Sequence, residues 1–338
     1  MGLGREGKPE RVMNRREVLR LSAAGAIASA IPRVADGVEI TPDAIMDTYT
    51  YKTAGDCTLK ADVYREPRPQ NKRPVVITIH GGALIMGGRY PIQMDLFEPL
   101  LEQGIAVVSV DYRVAPETKL PEIINDIRDA YRWVLTEGPA LFNADPERVA
   151  VQGGSAGGYL TLMTGFCVEP RPKALVSFYG YGDLVGDWYS KPDPFYCSQP
   201  LVSKEDAHMG VGKGTPCGNP QDKRRGDFYL YCRQNGLWPK EVSGFDPHTQ
   251  ADRFKSYCPL QNVTPAYPPT LLAHGDKDTD VPYEQSVLMD AALTRAGVEH
   301  EFITLHEAGH GFSHAKTEDY QSVLSRTISF LTQHLLAK

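Results

Sequence analysis

Residues 149–160 read VAVQGGSAGGYL, an apolar run followed by a glycine-rich turn and a helix-forming segment. Within it, Gly153-Gly154-Ser155-Ala156-Gly157 has the spacing G-x-S-x-G. A serine in a sharp turn between a strand and a helix projects its hydroxyl at the sheet edge, and the flanking glycines let neighbouring backbone pass close. The helix beginning at Ala156 directs N–H groups at the same place, which favours developing negative charge. The stretch predicts a nucleophilic Ser155; an incidental serine in a glycine-rich turn is the alternative.

Short apolar runs rich in Val, Ile and Leu recur on both sides of this stretch, and such runs are typical of strands buried on both faces. They are PVVITIHGG (74–82), GIAVVSVDYR (104–113), RVAVQGGSAGG (148–158), KALVSFYGYGD (173–183), PPTLLAHGD (268–276) and HEFITLHEAG (300–309), after two early strands, YTYKTAG (49–55) and LKADVYRE (59–66). Helical patterns separate them at 92–103, 122–137, 156–167, 283–296 and 317–336. The alternation predicts an α/β fold with a mostly parallel, doubly wound sheet and helices on both faces.

Residues 184–266 interrupt this alternation, which leaves 40–183 and 267–338 as the core. The segment is dense in aromatic residues, Pro, Gly and Cys, and a structureless loop of that length is unusual in a compact domain. We expect an irregular or helical cap over the carboxyl edge of the sheet. Trp188, Tyr189 and Trp238 are the candidates for the substrate pocket, and we expect the cap to control substrate size rather than the chemical step.

An oxyanion-binding loop is predicted at the end of the third strand, in TIHGGALIMGG. Small residues at Gly81, Gly82 and Ala83 would let backbone N–H groups reach a carbonyl oxygen, and the Ala156 amide would join them. His80 precedes Ser155 in the chain and lies beneath the loop. We interpret His80 as a structural hydrogen-bonding residue.

A general base and its acid are expected after Ser155 in the chain. Of the histidines in the last part of the chain, His310 is flanked by glycines in GHGF, which would let an imidazole turn back towards the serine. The acid is expected after the seventh strand, where Asp276, Asp278 and Asp280 are all available.

Five segments carry a resemblance to a known family: HGG (80–82), DYRVAPE (111–117), GGSAGG (153–158), HGDKDTDVP (274–282) and GHGF (309–312). Together they resemble the carboxylesterase branch of the α/β-hydrolases, near its hormone-sensitive-lipase-like and acetylxylan/feruloyl-esterase-like groups. The resemblance covers 47–183 and 267–336 and implies Asp278 as the acid, three residues after the glycine. Ala83 and Gly154 depart from the lipase-like pattern, which has H-G-G-G and G-D-S-A-G.

The segment HEAGH (306–310) also fits H-E-x-x-H, in which two histidines hold zinc and the glutamate is a general base. That pattern requires His306 and His310 one turn apart on a helix. The preceding EFITLH is strand-like, and the glycines at 309 and 311 would each weaken a helix by about 1 kcal/mol. We predict no metal and no other cofactor, with a zinc hydrolase as an alternative.

The N-terminus has the character of an export signal. Six basic residues precede the small, weakly apolar stretch LSAAGAIASA, which ends in an A-x-A cleavage pattern: Arg5, Lys8, Arg11, Arg15, Arg16 and Arg20. Because NRREVLRL resembles a twin-arginine signal, residues 1–30 are predicted to be removed on export. The mature protein is then expected to be periplasmic or secreted. The alternative is a basic helix that stays on a cytoplasmic protein.

Charge and cysteine content narrow the function further. The 338 residues carry a net charge of −6, which does not indicate a nucleic-acid partner, and no apolar run predicts a membrane span. Four of the six cysteines fall between 197 and 258, so an exported protein is expected to form one or two disulfides there.

These patterns together predict a serine carboxylesterase that acts on small-molecule esters. Ser155 is the expected nucleophile, His310 the base and Asp278 the acid. A serine exopeptidase or amidase on the same core is the main alternative, and a catalytically silent binding protein is another. The acyl and alcohol preference and the oligomeric state stay open.

Overall fold

The computed structural model describes Val12–Met13 and residues 44–67, 71–217 and 224–337. Apart from Val12–Met13, the predicted export signal at 1–30 lies outside the described residues. The strands are β1 (Val12–Met13), β2 (Ile45–Ala54), β3 (Cys57–Arg65), β4 (Arg73–Ile79), β5 (Ala106–Val110), β6 (Ala144–Gly154), β7 (Leu175–Phe178), β8 (Thr270–Gly275) and β9 (His300–Leu305).

These strands form one sheet in the order β1-β2-β3-β5-β4-β6-β7-β8-β9. The β1/β2, β2/β3 and β3/β5 pairs are antiparallel, and every pair from β5 to β9 is parallel. The carboxyl ends of the parallel strands therefore meet at one edge. The predicted α/β fold with a mostly parallel sheet is confirmed.

Helices cover both faces of the sheet, as predicted. The core helices are α1 (Met94–Glu102), α2 (Leu120–Thr136), α3 (Gly138–Phe142), α4 (Ala156–Cys167), α10 (Glu284–Ala296) and α11 (Thr317–Leu336). The sheet separates two apolar cores, and alternate residues of each strand point into one or the other. Val75 and Ile77 pack on the face covered by α2, α4 and α10, and Val76 packs on the face covered by α1 and α11. Among the described helices, none is both long and apolar enough to cross a membrane.

The described part of the insertion consists of short helices joined by irregular segments. It contains α5 (Asp187–Ser190), α6 (Pro194–Cys197), α7 (Lys204–His208), α8 (Arg225–Asn235) and α9 (Trp238–Ser243), then 3₁₀ turns at Ala251–Tyr257 and Pro259–Gln261. Its buried side chains, among them Phe228 and Phe254, belong to the same apolar core as α2 and α4. The insertion is thus packed into the core.

One disulfide, Cys57–Cys217, joins the start of β3 to the insertion. The prediction of pairing among the cysteines between 197 and 258 is wrong in its partner, because Cys57 lies in the core. The other four cysteines, Cys167, Cys197, Cys232 and Cys258, are free. A spacing argument confined to the insertion could not reveal a partner 160 residues away along the chain.

Candidate active site

Ser155 lies at the sharp turn between β6 and α4. Its backbone has φ 56° and ψ −124°, a strained conformation for a residue with a side chain. Its N–H donates to the Phe178 carbonyl at 2.9 Å, which ties the turn to β7. A Cβ at Gly157 would collide with the Ile79 carbonyl oxygen, so this position of the motif is restricted to glycine by the neighbouring strand.

Tyr179, which the sequence argument did not single out, explains the unusual Gly154. A Cβ at Gly154 would lie 2.7 Å from the Tyr179 hydroxyl oxygen, and hence tyrosine occupies the space that the lipase-like aspartate would need. The same ring meets the His310 ring edge-on, with centroids 4.9 Å apart. Burial, with the nearby Asp278 charge, raises the pKa of Tyr179 to about 12. The Tyr179 hydroxyl therefore stays protonated, and the side chain beside His310 is uncharged.

Ser155, His310 and Asp278 form a continuous hydrogen-bonded row. His310 Nε2 lies 3.0 Å from Ser155 Oγ, and His310 Nδ1 lies 2.7 Å from Asp278 Oδ2. With Nδ1–H donating to the carboxylate, Nε2 carries the lone pair that faces the serine hydroxyl. This is the geometry by which an imidazole takes a proton from a serine nucleophile.

The surroundings of Asp278 keep it ionised. Burial would raise the pKa of Asp278, but hydrogen bonds from His274 and His310 outweigh burial and hold that pKa well below its ordinary value. Its other oxygen accepts the N–H groups of Asp280 and Val281 at 2.8 and 2.9 Å. The carboxylate is therefore fixed in both position and charge.

The two other acid candidates face different partners. Asp276 accepts from the His306 imidazole at 3.0 Å and from the Glu307 N–H. Asp280 lines the cavity and places Oδ2 3.4 Å from His310 Nε2. Of the three aspartates, Asp278 alone meets Nδ1 of His310.

The zinc alternative requires a helix that is not there. β9 ends at Leu305, and His310–Phe312 forms a short 3₁₀ turn instead. His306 is 81% exposed and bonded to Asp276, whereas His310 faces Asp278 and Ser155. The two imidazoles thus serve separate carboxylates, and among the described residues no group of His, Cys, Asp and Glu side chains is arranged to hold a metal ion.

The predicted oxyanion loop lies against the nucleophile. A Cβ at Gly81 would be 3.3 Å from Ser155 Cβ, and Gly81, Gly82 and Ala83 line the same cavity as Ser155. Gly82 has φ 105° and Ala83 has φ 55°, so the loop turns sharply away from β4. Ala156 is buried at the first position of α4. The four candidate residues thus adjoin Ser155.

His80 supports this loop from beneath. Its ring stacks on Tyr112 with centroids 4.1 Å apart, and its Nδ1 lies 2.8 Å from the Gly81 carbonyl oxygen. Burial lowers the pKa of His80 to about 4 even though the Gly81 carbonyl opposes the shift. His80 therefore stays neutral at ordinary pH, which is compatible with the predicted structural role.

The cavity over Ser155 has a volume of about 950 Å³. Core residues such as Met86, Arg89 and Ile92 line one side, and Phe195, Tyr196, Gln199 and Tyr229 of the insertion line the other. Arg89 is paired with Asp62 and Asp111. The cavity walls therefore carry no uncompensated cation among the described residues.

The three substrate-pocket candidates do not line this cavity, which corrects the sequence prediction. Trp238 and Tyr189 are buried and stack with centroids 4.0 Å apart, and Trp188 stacks on Tyr189. The Trp238 indole N–H instead donates to the Ala83 carbonyl at 2.9 Å. A large aromatic residue can line a cavity or fill a core, and composition alone does not distinguish the two roles.

A second insertion residue also bonds the loop. The Arg225 guanidinium donates to the Ile85 carbonyl at 2.7 Å and to both oxygens of Glu117. Arg225 thereby links Glu117, the last residue of DYRVAPE, to the predicted oxyanion loop. No local sequence pattern indicates these contacts, because Arg225 lies far along the chain from both Ile85 and Glu117.

Comparisons with known proteins agree with this fold. Residues 61–191 match a family model described as BD-FAE, and residues 230–338 match the prolyl oligopeptidase family. A solved α/β hydrolase of Enterococcus faecalis is similar in structure with a TM-score of 0.66 at 20% identity, covering 85% of this chain and 98% of that chain. The chain has the α/β-hydrolase fold, and it is similar to carboxylesterase-like members of that group.

Two further proteins are similar to this chain. The thermophilic esterase Est2 of Thermogutta terrifontis gives a TM-score of 0.56 at 22% identity, covering 85% of this chain and 92% of that chain. 5-Methylorsellinic acid synthase of Aspergillus terreus is 29% identical over 344 residues, which are 86% of this chain but 13% of that protein. The chain spans only a small part of such relatives, so their biosynthetic activity is not carried over.

Proposed function

We propose that the protein is a serine carboxylesterase that works through an acyl-enzyme. The observation that carries the proposal is the row from Ser155 Oγ through His310 to Asp278, with distances of 3.0 and 2.7 Å. The row stands at the carboxyl edge of a parallel sheet beside a loop of small residues. Similarity to solved esterases supports the same assignment.

The reaction follows from the roles of the three side chains. Ser155 Oγ forms a bond to the ester carbonyl carbon as its proton passes to His310 Nε2. The carbon–alkoxy bond then breaks, and the same proton leaves with the alcohol. Water repeats the sequence on the acyl-enzyme and frees the acid. Asp278 stabilises the imidazolium, and backbone N–H groups near Gly82, Ala83 and Ala156 would hold the oxyanion.

The cavity supports a neutral small-molecule ester as substrate. It is walled by aromatic rings on the insertion side, and its lining cation, Arg89, is already neutralised by two aspartates. An anionic group would meet the carboxylate of Asp280 without a free cation to offset it. We therefore expect negatively charged esters to be poor substrates.

A peptidase or amidase is the second candidate, because residues 230–338 match the prolyl oligopeptidase family. The discriminating experiment measures kcat/KM for p-nitrophenyl esters of increasing acyl length, acetylated xylan, feruloyl esters and aminoacyl p-nitroanilides. Ser155→Ala protein is assayed in parallel to subtract contaminating activity. Turnover of esters well above anilides is expected; turnover of anilides alone would support the peptidase, and chelator-sensitive turnover that survives Ser155→Ala would refute the serine mechanism.

A further inference from the structure

A carboxylate that the proposed mechanism does not use lies beside its reacting atom. Asp280 Oδ2 is 3.4 Å from His310 Nε2, the nitrogen that faces Ser155. The Asp280 side chain is 20% exposed and lines the cavity. His310 therefore has a carboxylate at each ring nitrogen, Asp278 at Nδ1 and Asp280 at Nε2.

The insertion fixes Asp280 from the other side. Oδ1 of Asp280 accepts from the Tyr196 hydroxyl at 2.8 Å, from the Tyr229 hydroxyl and from Arg233 Nη1 at 2.8 Å. Arg233 also donates to the Asp280 carbonyl at 2.9 Å and to Asp193 at 2.8 Å. Because these donors saturate Oδ1, Oδ2 is left turned towards His310 and the cavity.

We propose that Asp280 is a positioning residue for catalysis, held by Tyr196, Tyr229 and Arg233, which stabilises the imidazolium that His310 becomes during the reaction. The inference rests on the proposed serine mechanism. Its consequence is that the insertion acts on the chemical step as well as on substrate size.

Electrostatics give the direction of the effect. The charged and titratable groups that face His310 are Asp278, Asp280, Arg233 and the neutral Tyr179. Burial lowers the pKa of His310, but Asp280 and Asp278 outweigh burial and Arg233, so that pKa lies above its ordinary value. When Ser155 gives up its proton, the positive charge on the ring forms between two carboxylates.

The same charge gives a measurable signature. The base works only when neutral, so activity falls as the pH drops through the His310 pKa, and Asp280 moves this acid limb of the kcat/KM profile to higher pH. Asp280→Asn should therefore lower the plateau of kcat/KM roughly 10-fold and move the acid limb to lower pH.

The matched control is Asp276→Asn, the same substitution on the same loop. Asp276 bonds His306, which is 81% exposed and away from the cavity. The control should leave both plateau and acid limb unchanged. If Asp276→Asn shifts the acid limb as much as Asp280→Asn does, the effect is a general one of loop charge and the proposal is overturned.

Two more variants exclude a merely structural role. An asparagine amide could donate to His310 Nε2 and block it, so Asp280→Ala is measured as well; both variants should shift the acid limb in the same direction. Tyr229→Phe leaves the carboxylate but removes one donor that fixes it, and should give a smaller shift of the same sign. A fall in plateau with an unmoved acid limb in all three variants contradicts the proposal.

The same assays distinguish a failure of the Asp280 proposal from a failure of the proposed serine mechanism. If Ser155→Ala keeps the activity of the wild type, the serine mechanism itself is wrong. If Ser155→Ala is inactive while Asp280→Asn keeps the wild-type profile, the serine mechanism stands and the role of Asp280 fails.

Discussion

The core and the insertion meet at one cavity but contribute different things to it. The core supplies the hydrogen-bonded row Ser155–His310–Asp278 from the ends of three parallel strands. The insertion supplies no member of that row. Instead, Trp238 donates to the predicted oxyanion loop, and Arg233 donates to the loop that carries Asp278 and Asp280.

In the proposed mechanism, this difference assigns the chemical step to the core and the positioning of its loops to the insertion. A strand end fixes a side chain through the backbone ladder, whereas a loop such as Gly82–Ala83 gains its geometry from whatever packs on it. The insertion therefore does more than cover the cavity, because it also donates hydrogen bonds to the loops that carry site residues.

Removing the chemistry should have the largest effect. Ser155→Ala and His310→Ala should each lower kcat by about 10⁴ or more, and the double variant should fall little further, because the two residues act as one unit. His306→Ala is the control and should cost far less, since the exposed His306 imidazole bonds Asp276 and contacts neither Asp278 nor Ser155 in the described structure. Equal losses at His306 and His310, with restoration by zinc, would mean that HEAGH is a metal site.

Cutting the covalent link between the two regions should be next in size. Cys57–Cys217 closes a loop of 160 residues, and such a disulfide typically stabilises by about 2–4 kcal/mol. The Cys57→Ala/Cys217→Ser double variant should lose that much free energy of unfolding in denaturant titrations. The free, exposed Cys197 provides a control, Cys197→Ser. Identical unfolding midpoints for wild type and double variant would argue against a structural disulfide.

Weakening one insertion contact to the oxyanion loop should cost less. Trp238→Phe keeps an aromatic ring but leaves the Ala83 carbonyl without its donor, so we expect kcat to fall about 10-fold on every ester alike. The unfolding free energy should also drop by about 1–3 kcal/mol. Trp188→Phe is the matched control, because the Trp188 N–H finds no hydrogen-bond partner among the described residues. A loss confined to bulky esters would return Trp238 to a substrate-binding role.

The smallest effect is expected at the cavity rim. Phe195 is 46% exposed and lines the cavity, so Phe195→Ala should alter the ratio of kcat/KM between short and bulky esters by about three- to tenfold. Leu201→Ala, at a side chain that is 79% exposed and does not line the cavity, should leave the ratio unchanged. If Leu201→Ala changes the ratio equally, surface effects explain the result.

The sequence predicted the core well and the insertion poorly. Strand periodicity and the glycines around Ser155 and His310 are local signals, and they led to the fold, to both residues and to helices such as 156–167, which the structure has at Ala156–Cys167. Asp278 needed the family resemblance, because three aspartates in one loop look alike locally.

The insertion gave no such signal. Its aromatic residues predicted burial or binding without distinguishing them, so Trp238 was assigned to the pocket and Tyr196 and Tyr229 were not. Tyr179 also escaped notice, although it directly follows β7 at the edge where the site forms. The missing information is in tertiary contacts such as Arg233 with Asp280, which join residues 47 positions apart.

The central claim, that Ser155 is a nucleophile activated by His310, is tested most directly by covalent labelling. The folded enzyme is treated with a fluorophosphonate, and the adduct is located by peptide mass spectrometry in wild type, His310→Ala and His306→Ala. We predict a single adduct on Ser155, formed at similar rates in wild type and His306→Ala and far more slowly in His310→Ala. No adduct on Ser155 in an enzyme that still turns over its ester, or equal labelling without His310, would contradict the claim.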